Sequence, residues 1–61
     1  MTNEKKQELI LYAYNDALSL HDEGMTIEEL EQVIILYEEK ELYLHCAGIK
    51  KAINKLKQSD E

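Results

Sequence analysis

Proline, tryptophan and phenylalanine are absent from this chain, and cysteine occurs once, at Cys46. A single thiol excludes an intrachain disulfide. The two histidines, His21 and His45, lie far apart and supply no His and Cys grouping with zinc-ligand spacing. Asp16, Asp22 and Glu23 do not follow the alternating acidic loop of an EF-hand. No apolar run approaches the ~18 to 20 residues needed to cross a bilayer, and no signal-like apolar segment lies near Met1. A lone thiol without such a segment fits a reducing interior, so the expected location is the cytoplasm, with no membrane contact. Neither a metal nor a cofactor is expected.

At 61 residues the chain is one domain at most. Folding at this size buries only about 60% of the surface exposed by the unfolded chain, so the core is thin. Small proteins commonly compensate with disulfides, metals or oligomerisation, and here oligomerisation remains. A homodimer is therefore the expected unit. The net charge of −6 disfavours nucleic acid, because phosphates would meet a like-charged partner. That charge is unevenly placed: −1 from Met1 to His21, −7 from Asp22 to Glu41 and +2 from Leu42 to Glu61. Either these are solvated helix faces, or Lys50, Lys51, Lys55 and Lys57 meet the acidic segment of a neighbouring chain.

The hydrophobic pattern predicts an all-α fold of three helices, at about 3–22, 27–40 and 42–57. In the first, Ile10, Ala13, Tyr14, Ala17 and His21 share a face that Leu11 and Leu18 widen. With no proline to interrupt it, this helix runs to Asp22-Glu23-Gly24, where Gly24 can take the left-handed conformation of a helix stop. The second helix has a capping box, Thr26 with Glu29, and a hydrophobic staple, Met25 with Leu30. Its main face is Ile27, Leu30, Val33, Ile34 and Tyr37.

The stretch Val33-Ile34-Ile35-Leu36-Tyr37 is apolar through five consecutive residues and covers the whole circumference of the helix. Such a helix is normally covered on more than one side. The third helix repeats Leu42, Cys46, Ile49, Ile53 and Leu56 in a narrow seam suited to helix packing. The phase of the second helix does not run into this seam, so a break near Glu39–Glu41 is expected, although no Gly or Pro marks it. One long bent helix from Ile27 is the competing arrangement. Residues beyond Lys57 lack apolar partners and are expected to fray.

Little here suggests catalysis. His45 and Cys46 are adjacent, but helical neighbours point about 100° apart and do not face one another. Cys46 lies in the apolar seam, where a thiol acts as a small hydrophobe. Glu38, Glu39 and Glu41 read as a solvated helix end, since nothing would desolvate them. A DNA-reading third helix is disfavoured by its lack of arginine, because base readout relies chiefly on Arg, Asn and Gln. Tyrosine is enriched where surfaces meet, and Tyr37 and Tyr43 flank the predicted turn. The candidate interface is Val33, Ile35, Leu36, Tyr37, Tyr43, Cys46, Ile49 and Ile53.

The segment from Tyr37 to Ile53 resembles the UVR motif, a short antiparallel helical hairpin of the excision-repair proteins UvrB and UvrC and of some Clp-type ATPases and their adaptors. Tyr43 matches its aromatic position, Cys46 and Ala47 its small pair, and Ile49, Lys50 and Ile53 its aliphatic, basic and aliphatic positions. Leu42, Leu44 and Gly48 depart from the pattern. The resemblance implies an antiparallel hairpin of the second and third helices that pairs with other hairpins and has no activity of its own. The expected function is thus a small acidic interaction module or adaptor, acting on a second copy or on another protein. An acidic inhibitor or antitoxin-like protein, occupying a basic site on an enzyme or nucleic-acid-binding partner, is the alternative.

Overall fold

The computed structural model describes residues 3 to 59 and places them in three helices: α1 (Asn3–Asp22), α2 (Ile27–Glu39) and α3 (Tyr43–Ser59). No strand occurs among the described residues, so the fold is all-helical. The long dimension of 37 Å reflects α1, whose 20 residues span about 30 Å at the helical rise of ~1.5 Å per residue.

The two turns use the same backbone device. At the end of α1, the Met25 N–H reaches the Leu20 carbonyl and the Gly24 N–H reaches the His21 carbonyl, both at 3.0 Å. Gly24 sits at φ 118°, a conformation glycine adopts without a Cβ penalty. His21 closes this turn by donating from Nδ1 to the Met25 carbonyl at 2.8 Å. A carbonyl can only accept, so the proton of that bond resides on Nδ1.

At the end of α2 the Leu42 N–H reaches the Tyr37 carbonyl at 2.9 Å and the Glu41 N–H reaches the Glu38 carbonyl at 3.0 Å. Here the left-handed residue is Glu41, at φ 60°. α2 and α3 are therefore separate helices rather than one bent rod. The break lacks a glycine signature because a glutamate occupies the position that glycine usually fills. Glu41→Gly should accordingly stabilise the fold by about 0.5 to 1 kcal/mol, the left-handed penalty offset partly by the greater freedom of the unfolded chain. Thermal melts followed by circular dichroism at one fixed concentration would register this as a rise of several degrees. A fall would mean that the Glu41 side chain contributes more than its strain costs.

α2 begins as its sequence predicts. The Thr26 Oγ1 accepts from the Glu29 N–H at 3.1 Å, and the Glu29 carboxylate accepts from the Thr26 N–H at 2.9 Å. Such a cap is worth ~1 kcal/mol. α2 ends one residue before the predicted boundary, and α3 starts at Tyr43 rather than at residue 42. The Leu42 carbonyl accepts from the Cys46 N–H at 3.2 Å, which makes Leu42 the residue that opens α3. Its apolar side chain cannot cap, yet it follows the left-handed Glu41, where an apolar residue commonly accompanies the turn. α3 continues past the predicted boundary at Lys57 to Ser59; Asp60 and Glu61 lie outside the described residues.

Packing is centred on α3, which lies extensively against α1 and also against α2, whereas α1 and α2 scarcely meet. Its buried stripe is broader than the predicted seam. Gly48 and Ala52 join Cys46, Ile49 and Ile53, and Gly48 lies directly against the α1 backbone. A Cβ on Gly48 would fall on the Ile10 carbonyl oxygen, 2.7 Å from the Ala13 Cβ and 2.9 Å from the Tyr14 nitrogen. Ala17 and Ala52 lie one helical turn beyond Ala13 and Gly48 and are buried in the same cluster. Small side chains on both helices thus let the two backbones come together. Among the described residues, Leu30 is the one large side chain with no exposure at all.

Candidate interaction surface

The eight residues expected at an interface divide by depth. Cys46, Ile49 and Ile53 are buried in the core that α3 forms with its own chain. Val33 and Tyr37 are half-buried against that core. Ile35, Leu36 and Tyr43 stand at 47%, 55% and 62% exposure. The division follows from helix geometry. With Leu30 and Ile34 pointing inward, Ile35 and Leu36 must point to the two flanks of the outer face, about 100° apart.

A second exposed apolar group lies on α1, where Leu11 and Tyr12 are both open to solvent and Tyr12 reaches 68%. The sequence carries its signal: Leu9-Ile10-Leu11-Tyr12-Ala13-Tyr14 is apolar through six consecutive residues, so it too must expose part of its circumference. Leu11 borders a cleft between α1 and α3 lined also by Gln7, Glu8, Ile10, Tyr14 and Lys51. Leu42, at the α2–α3 turn, completes the exposed set.

Two ion pairs join α2 and α3. Lys50 Nζ lies 3.7 Å from a Glu38 carboxylate oxygen and Lys57 Nζ lies 3.9 Å from one of Glu31. Two of the four lysines proposed to meet a neighbouring chain are thereby paired within their own. All four side chains are about half-exposed, and such pairs contribute only ~0 to 1 kcal/mol each. Between α2 and α3 a groove runs past Glu31, Ile34, Ile35, Glu38, Lys50, Ile53, Asn54 and Lys57.

His45 and Cys46 act on different neighbours. The His45 ring packs edge-to-face on Tyr37, with centroids 5.7 Å apart and planes at 80°. The Cys46 thiol points to α2 and donates to the Ile34 carbonyl at 3.5 Å. Burial, reinforced by the Glu38 carboxylate and opposed by Lys50, pushes this thiol above its ordinary pKa. Since the thiolate is the nucleophile, the shift disfavours reactivity. Among the described residues no three His, Cys, Asp or Glu side chains are grouped to hold a metal, and no helix is long and apolar enough to cross a membrane. No family model, curated protein or solved structure matches this chain.

Proposed function

We propose that this protein is a small interaction module, without catalytic activity, whose working unit is a homodimer built on an antiparallel α2–α3 hairpin. The observation that carries the reading is the imbalance of its apolar residues. Leu11, Tyr12, Ile35, Leu36, Leu42 and Tyr43 are exposed, while Leu30 is alone among the large side chains of the described residues in being fully buried. A chain of this size gains little from its own core. Covering part of that surface with a second chain adds burial at about 25 cal/mol per Å².

The hairpin is supported by its ion pairs. Glu31 meets Lys57 and Glu38 meets Lys50, so the earlier acid takes the later lysine, as in helices running in opposite directions. The likeness to UVR hairpins gains support from Cys46, a small residue set against the α2 backbone. Gly48, which departs from that pattern, serves the contact with α1 instead. The acidic-inhibitor reading draws less support, because Glu31 and Glu38 are already matched by lysines.

Sedimentation at micromolar concentration should show a dimer. Replacing both Ile35 and Leu36 with Glu should shift it to monomer with helix content retained, since each side chain is already half-exposed, whereas Glu28→Lys should change little. A well-folded wild-type monomer at every accessible concentration would defeat the homodimer.

A further inference from the structure

We infer that the α2–α3 groove is the dimer face, and that its occupant is the same groove of a second copy, related by a two-fold axis parallel to the two helices. This rests on the interaction-module reading above and assigns that module its contact surface.

The argument begins with how charge is laid out along the groove. Its α2 edge carries Glu31 and Glu38, and its α3 edge carries Lys50 and Lys57, each pair seven residues apart. That spacing returns to nearly the same side of a helix, so each edge presents one sign along its length. The edges are also in step. Glu31 is level with Lys57 at 3.9 Å and Glu38 is level with Lys50 at 3.7 Å. Ile34 and Ile53 lie buried at the floor of the groove, and the half-exposed Ile35 lies on its α2 side. The face is therefore acidic along one side and basic along the other, over a buried apolar floor.

Such a face is complementary to itself in one orientation. Turning a second copy about an axis parallel to the edges exchanges left and right but keeps the level of every group. Glu31 of one chain then lies over Lys57 of the other, and Glu38 over Lys50. The same operation sets the half-exposed Ile35 of one copy toward the α3 edge of the other. This is the reciprocal pattern of a two-fold interface, in which residue i meets j and j meets i. An axis across the edges would set acid on acid. A partner of a single charge sign would match one edge and be repelled by the other. The cleft beside Leu11 on α1 carries one charge of each sign, Glu8 and Lys51, and so no like-charged edge repeated along its length.

Two charge-swapped chains test the proposal. One carries Lys50→Glu with Lys57→Glu, so that both edges are acidic; the other carries Glu31→Lys with Glu38→Lys, so that both are basic. Each alone should self-associate at least about tenfold more weakly than the wild type, because like charges now face one another. Mixed in equal amounts they should form a one-to-one dimer that weakens with added salt. Circular dichroism reports whether each chain folds, and if the double variants unfold, the single swaps Lys57→Glu and Glu31→Lys are read in the same way. Undiminished association of either swapped chain alone would overturn the face while leaving the module reading in place on another surface. Weakened association in both with no recovery on mixing would overturn the face as well. A wild type that never dimerises would remove the face and the homodimer reading together.

Discussion

Gly48→Ala should destabilise the protein by about 2 to 3 kcal/mol, against the direction of intrinsic helix propensity, which favours alanine by roughly 1 kcal/mol. The added methyl has nowhere to go. It would meet the Ile10 carbonyl oxygen and the Tyr14 nitrogen, both backbone atoms of α1, together with the Ala13 Cβ. A crowded side chain can change rotamer, but a helix backbone can yield only by moving α1 as a whole. Overpacking of this kind typically costs ~1 to 3 kcal/mol and occasionally more, and contact with backbone places this site at the upper end. Against a total stability of roughly 0.05 to 0.15 kcal/mol per residue, the loss is a large share. Urea denaturation at one fixed concentration would measure it. Gln58→Ala, on the exposed surface of the same helix, should be neutral or slightly stabilising. If Gly48→Ala were equally benign, α1 and α3 would not pack this closely in solution.

Leu30→Ala should cost about 3 to 4 kcal/mol, within the ~2 to 5 kcal/mol range for large-to-small substitutions in cores. Leu30 is fully buried, in a cluster whose other members are chiefly alanines, isoleucines and Cys46. The alanine methyls are too short to fill the space. A cavity should therefore persist, and the loss should exceed the transfer energy of the missing carbons. Leu36→Ala removes the same atoms from an exposed site and should change monomer stability far less. Denaturation curves for the two variants, taken at a concentration low enough for both to be monomeric by sedimentation, would separate them. Equal losses would contradict the division of α2 into a buried and an exposed face.

Much of the helical layout was legible in the chain because its determinants are local. The Thr26–Glu29 capping box acts within one turn, and Gly24 stops α1 through its own backbone freedom. The inward face of α2, from Ile27 to Tyr37, is set by spacing alone. The break before α3 was legible only as a loss of phase, because Glu41 takes a left-handed conformation for which glutamate gives no advance sign.

The candidate surface was less legible. Cys46, Ile49 and Ile53 are as apolar as Ile35 and Leu36, and composition cannot say which of them a neighbouring helix of the same chain will cover. The α3 side of its seam with α1 was hidden for a related reason. Ala13 and Ala17 fall on the predicted face of α1, but Gly48 and Ala52 join the buried stripe through what their side chains lack, which hydrophobic periodicity does not record.

Three helices, the start of α2, the end of α1 and a surplus of apolar residues were thus determined by the sequence itself, since each depends on residues within a few positions of one another. Tertiary structure alone decided that α3 is the central helix, that Gly48 is a contact point rather than a weak spot, and that Glu38 and Lys50 oppose one another within one chain. Those outcomes depend on which faces meet across long separations in sequence, and that choice is made by the packing of the whole chain.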